Sequence, residues 1–177
     1  MNKFFLITVL AHCLAAPLCV SAQATTPEQR IREAGFELPE PTNPIANYVT
    51  WRRAGNILYL SGHGACGGNS VIGKLGDKLN VDEGYEAAQR VGLCLLATIK
   101  SAVGNLSEVK QVLTITGMVN ATSSFNEHST VINGFSDVLV TAFGDDGKGA
   151  RAAVGMNSLP GNISVEISAV VELKEWL

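Results

Sequence analysis

The chain has 177 residues, with 16 acidic and 13 basic side chains and a formal net charge of −3. Charged residues make up only 16% of it, against roughly 25% in ordinary soluble domains, so apolar surface is left over for burial between chains. An acidic chain without a basic cluster lacks the phosphate contacts that carry nucleic-acid affinity, and no nucleic-acid partner is expected.

The first element is a leader. Lys3 supplies one positive charge, Phe4 to Leu10 are almost wholly apolar, and Val20-Ser21-Ala22 puts small residues where a signal peptidase cuts. His12 and Pro17 interrupt the apolar run, which is short for a bilayer span. Cleavage after Ala22 is expected, giving an exported product, periplasmic or secreted, with no membrane attachment. Removing 22 of 177 residues leaves 177 − 22 = 155, and losing Lys3 moves the net charge from −3 to −4. That length suffices for one domain with its own core. Cys66 in a glycine-rich loop and Cys94 in a predicted helix remain. Export would let a bridge between them persist, but two cysteines do not make a disulfide scaffold, and buried free thiols are the expectation.

Residues 23–43 read as a short helix and a linker. Thr26 caps, Pro27 suits the first turn, Gln29 completes a capping box, and Gly35 stops the helix before a proline-rich stretch. This arm is expected to lie outside the core, with residues 44–177 forming the domain. Tyr48 to Arg53 and Ile57 to Ser61 read as two strands joined at Ala54-Gly55-Asn56. A short strand is expected near Val71 to Leu75. Asn80 and Glu83 then open a long helix with Tyr85, Ala88, Leu95, Ile99 and Ala102 at helical spacing, and Gly104 stops it. Val109 to Val119 is a strand rich in β-branched residues. A further helix runs from Asn126 to Phe143, with Ile132, Phe135, Leu139 and Ala142 on its buried stripe. Ala150 to Met156 and Ile163 to Glu172 are the last strands. One apolar stripe per helix predicts an α/β (α+β) fold, with two helices covering one face of a single mixed sheet and the other face needing a partner.

Gly62-His63-Gly64-Ala65-Cys66-Gly67 matches a dinucleotide fingerprint, with Glu83 about twenty residues on. The motif must open a helix whose N-terminus holds the pyrophosphate, and Gly68 to Gly73 carry no helical pattern. The glycines instead let the backbone turn tightly beside a cavity. Three glycosylation sequons, at Asn105, Asn120 and Asn162, receive no functional weight. Trp51, Trp176 and His128 read as packing residues, the last also as a cap. No ligand cluster for a metal appears, and no cofactor is implied.

The C-terminal pair of strands carries the chemistry. Arg151 and Glu166 are 166 − 151 = 15 residues apart, and the midpoint falls at Ser158/Leu159. A symmetric hairpin would set them opposite each other, with Ala153 and Gly155 on the arginine's face leaving room for a small anion. Guanidinium grips a carboxylate with two parallel hydrogen bonds, and a glutamate can position a water. An ordinary cross-strand ion pair fits the same pattern.

Ala150-Arg151-Ala152-Ala153-Val154, Leu159-Pro160 and Val165-Glu166-Ile167, with Tyr48-Val49, Gly55-Asn56 and Ser61-Gly62 in order before them, resemble the signatures of the RidA/YjgF family. The resemblance covers Pro44 to Glu172. It implies a chorismate-mutase-like fold, a homotrimer built through the uncovered sheet face, and ligand clefts between subunits. It implies that Arg151 binds a substrate carboxylate, Glu166 orients a water and Tyr48 lines the cleft, with Ser61, Gly62 and Asn133 at further pocket positions. His63 is a candidate substrate-binding proton donor at the cleft mouth, weighed against a structural or solvent-facing histidine, which fits the pattern better. The implied reaction is hydrolysis of a small 2-imino or enamino acid to a 2-keto acid and ammonia. Ala153 stands where well-characterised members often have cysteine, His63 where they often have glutamine, and the loop from Ala65 to Gly76 is longer and richer in glycine. A binding module using the same cleft for a small carboxylate, and an endoribonuclease, are the competing readings.

Overall fold

In the computed structural model, residues 24–41 and 43–175 are described; the expected leader, its cleavage point and Trp176 lie outside them. The elements are α1 (Pro27–Glu33), β1 (Trp51–Ala54), β2 (Ile57–His63), α2 (Val81–Val103), β3 (Val109–Asn120), α3 (His128–Phe143), β4 (Ala150–Met156) and β5 (Val165–Leu173). Five strands form one mixed sheet in the order β1-β2-β5-β3-β4. The expected short strand near Val71 is reduced to isolated bridges, Ile72 to Ile163 and Leu75 to Leu79 and Ala121.

Local chemistry sets the helix ends where the sequence places them. Asn80 accepts from the Glu83 amide and Glu83 returns the bond, and Gly104 closes the C-terminus of α2. Ala88, Leu95 and Ile99 of α2 and Ile132, Phe135, Leu139 and Ala142 of α3 are buried against the sheet. The two helices touch closely because Gly134 carries no side chain: a Cβ there would lie 2.1 Å from the Tyr85 carbonyl oxygen. In β5, Val165, Ile167, Ala169, Val171 and Leu173 are buried while Glu166, Ser168, Val170 and Glu172 are only partly so. The sheet therefore has one packed face and one face open in this chain.

Three expectations are corrected. The N-terminal arm belongs to the core: Ile31 is fully buried, Arg30 Nε donates to the Ala142 carbonyl at 2.8 Å, and Glu28 accepts from the Leu106 amide at 2.8 Å. One hydrophobic residue on a seven-residue helix is too weak a signal to place that helix from sequence.

Cys66 and Cys94 form a disulfide with their Cα atoms 5.8 Å apart. The bridge ties the glycine-rich loop to the middle of α2 across 28 residues. Closing a loop of that length removes unfolded-state freedom amounting to about 3–4 kcal/mol. Reduction, or replacement of both cysteines by serine, is expected to lower the stability measured by thermal or urea unfolding by roughly that amount.

The third correction concerns β4 and β5, which do not form a hairpin. β3 lies between them, paired parallel with β4 and antiparallel with β5. The connection crosses the end of β3, where fully buried Asn120 fastens it: its Nδ2 donates to Asn162 Oδ1 at 3.0 Å and to the Ile163 carbonyl at 3.1 Å. Gly161 and Asn162, both near φ +60°, let the chain turn back there.

Candidate active site

The sheet sends the two expected catalytic groups to opposite faces. Arg151 pairs with Ile115, and Glu166 pairs with Met118. Ile115, Gly117 and Val119 point into the helix layer, since Ile115 and Val119 are buried and a Cβ on Gly117 would strike Ile132. Arg151 thus rises on the helix side, at the outer strand. Met118 and Glu166 have the opposite parity and face the open side. With β3 between them, their strands are about 10 Å apart. The cross-strand ion pair is absent, and neither group forms a salt bridge among the described residues.

Arg151 is held by α3. Nη1 donates to Asn133 Oδ1 and to Ser136 Oγ, both at 2.9 Å, and Nη2 lies 3.5 Å from the Ser129 carbonyl. Ser129, Asn133 and Ser136 share one helical face, so successive turns grip one end of the guanidinium. All three contacts are neutral, so the positive charge is positioned without being cancelled. A guanidinium has five N–H donors, and the Nε–Nη2 edge remains for a planar anion such as a carboxylate. Asn133 was expected as a pocket residue and proves to orient the arginine; Ser136 was not foreseen, although its spacing of three from Asn133 is a helical one.

The other half of the site is built at the β2–β5 junction. The register slips between Leu60 and His63, which turns Gly62 toward the open face. Glu166 lies directly over it: a Cβ at Gly62 would be 2.0 Å from Glu166 Oε1. The Glu166 carboxylate is half-buried and makes no hydrogen bond within the described chain. Ser61 Oγ donates to the Val49 carbonyl at 2.6 Å, and the Ser61 amide donates to Thr50. These bonds fix the segment leading into β1, and Tyr48, 44% exposed, is next to Val49 in it. Tyr48 precedes β1 in a bend, not in a strand. Gly62 and Glu166 thus meet on the open face, with Ser61 fixing the segment that carries Tyr48, while Arg151, Asn133 and Ser136 are gathered on the helix face.

His63 belongs to neither. The same bulge turns it inward, where its ring is 4% exposed, bonded through Nδ1 to the Ser61 carbonyl at 2.7 Å and through Nε2 to Thr98 Oγ1 at 3.0 Å. The candidate place at the cleft mouth is corrected, and the structural reading of this histidine holds. Burial holds its pKa below the ordinary 6.5, opposed in part by the bond to the Ser61 carbonyl. The unfolded chain therefore takes up a proton near pH 6.5 that the folded chain resists. His63 contributes stability above that pH and loses it as the pH falls. The melting temperature is expected to drop from about pH 7 to pH 5, and His63→Gln, which keeps a side-chain N–H donor and has no titrating ring, should flatten the drop.

Among the described residues no group of three His, Cys, Asp or Glu is gathered to hold a metal ion, and no helix is long and apolar enough to cross a membrane.

The fold is that of a known family. Residues 28–173 match the model described as "YjgF/chorismate_mutase-like, putative endoribonuclease". The chain belongs to this YjgF/RidA family and has its chorismate-mutase-like fold. It is 38% identical over 150 residues to Protein TCP17 of Trypanosoma cruzi, covering 81% of this chain and 91% of that one. A crystal structure of a protein of unknown function from Agrobacterium tumefaciens superposes with a TM-score of 0.78 at 41% identity, covering 84% of this chain and 92% of that chain. One from Shewanella oneidensis, described as an endoribonuclease, gives 0.80 at 34% identity, covering 84% and 99%. Escherichia coli TdcF, solved with bound serine, shares the fold at 17% identity and a TM-score of 0.56, covering 76% of this chain and 94% of that chain.

Proposed function

We propose that the chain hydrolyses small 2-imino or 2-enamino acids to 2-keto acids and ammonia, in clefts where two copies of it meet in a homotrimer. The observation that carries this reading is the split site. Among the described residues, a positioned guanidinium without an anionic partner and an unbonded carboxylate stand on opposite faces of one sheet, so one chain cannot bring both to a small molecule. A neighbouring copy can. The open sheet face suits such a contact, because its centre carries Thr114, Thr116, Ser168 and Val170 without a long charged side chain.

In that cleft Arg151 takes the substrate carboxylate along its free edge. The enamine tautomerises to the imine, and the carboxylate of Glu166 accepts a proton from a water that attacks the imine carbon. Glu166 returns that proton to the former imine nitrogen, giving a carbinolamine; transfer of its hydroxyl proton to the amine through the same carboxylate then releases ammonia as the C–N bond breaks and the C=O forms. Tyr48 closes over the substrate. Serine in TdcF, a small molecule with one carboxylate, is compatible with such a pocket. The acidic composition weighs against the ribonuclease reading.

Complementation tests the split directly. Arg151→Ala and Glu166→Gln are each expected to be inactive against 2-iminopropanoate. Unfolded, mixed in equal amounts and refolded together, they should recover roughly a quarter of parental activity, since one interface in four draws both intact groups. A mixture as inactive as its components would rule out a site shared between copies, and a monomer by light scattering would do the same.

A further inference from the structure

On β4, Arg151, Ala153 and Gly155 share the face turned toward α3. The guanidinium reaches the Ser129 carbonyl, and the residue before Ser129 is His128, the first of the helix. The His128 ring stands edge-on to Phe125, with centroids 5.2 Å apart and an interplanar angle of 86°. Its Nε2 occupies the place a side chain at residue 155 would take: a Cβ on Gly155 would lie 2.5 Å from it. The imidazole is half-buried and makes no hydrogen bond among the described residues. The first turn of α3 carries no acidic side chain.

An aromatic contact thus orients the ring, a glycine makes room for it, and small Ala153 lies between it and the arginine. His128 presents a nitrogen donor on the same strand face as the carboxylate-binding group.

We infer that His128 is a specificity residue of the Arg151 half-site, and that the substrate it selects carries a second carboxylate: a dicarboxylic 2-imino or 2-enamino acid of four or five carbons. One carboxylate sits on Arg151 and the other accepts from the His128 ring, with the chain of the substrate lying over Ala153. The inference rests on the proposed reading of Arg151 as a carboxylate anchor and adds the chemical class of the substrate.

Calorimetric titration of the full protein with 2-oxoglutarate and with pyruvate, unreactive keto counterparts of the two substrate types, separates the two claims. The parent is expected to bind 2-oxoglutarate at least tenfold more tightly. His128→Ala should lose that preference while keeping its affinity for pyruvate, and His128→Asn, which retains an N–H donor, should keep part of it. Gly155→Ala, which displaces the ring, should behave like His128→Ala. The same split is expected in kcat/KM between 2-iminoglutarate and 2-iminopropanoate generated by an amino-acid oxidase. Equal affinity for the two keto acids, or an equal loss of both in His128→Ala, would overturn the role of His128 and leave Arg151 standing. A folded parent that binds neither acid would overturn the anchor itself, and this inference with it.

Discussion

Arg151→Ala is expected to abolish turnover and lower the affinity for small carboxylates at least a hundredfold, with little change in melting temperature. Two charge-assisted hydrogen bonds to a carboxylate are worth about 1.5–3 kcal/mol each, and both vanish with the guanidinium. The same side chain contributes little to the fold, since it is exposed and bonds only to neutral acceptors on α3. Arg151→Lys should rescue little, because an ammonium reaching the same place offers a point charge and no planar edge. Measuring unfolding and ligand titration on the same preparations separates binding from folding. An alanine variant that melts earlier yet binds carboxylates like the parent would show Arg151 to be a surface strut.

Glu166→Gln should leave affinity within a few-fold of the parent and cut turnover by about two to four orders of magnitude, the usual worth of a general base. The amide keeps the size of the side chain but cannot accept the water's proton. Because Glu166 has no hydrogen bond among the described residues, its loss strands no partner there and stability should hold. Gly62→Ala approaches the same point by another route. The added methyl would sit 2.0 Å from Glu166 Oε1, so the carboxylate must move aside, and turnover should fall while Arg151 binds as before. Equal loss of kcat and of carboxylate affinity in Glu166→Gln would argue that the glutamate holds the site together and takes no proton.

Much of the fold was legible because its cues are local. The capping boxes at Thr26 and Asn80, the stop at Gly104, and the apolar stripes of the two long helices each depend on residues within a turn or two of one another. The strand order was not legible, because it depends on which strand fills the gap between two others. Symmetric placement of Arg151 and Glu166 about Leu159 is the same whether their strands touch or straddle a third. One sign was available: the connection from Asn157 to Ser164 is longer than the two to five residues of a tight hairpin. The disulfide was weighed and set aside, since spacing along the chain does not report that a loop folds back onto the middle of a helix. The inward turn of His63 follows from a bulge, which shifts side-chain parity by one and leaves no mark in the alternation of Leu58 and Leu60. Family resemblance supplied the residues of the site; their distribution over two faces came only with the strand order.

The place of β5 in the sheet has a consequence for how the chain comes to be folded. It is the last of these five strands to leave the ribosome and the central one in the finished sheet, with β2 on one edge and β3 on the other. Until it arrives, the β1–β2 hairpin and the β3–α3–β4 unit have no strand in common, and each shows an unpaired edge. The final pairing joins residues more than a hundred positions apart, Leu58 with Val171 for instance, a contact whose closure entropy makes assembly slow. A nascent or truncated chain ending before Val165 would carry two exposed strand edges suited to pairing with other chains, so the last nine residues of the sheet guard the whole molecule against aggregation.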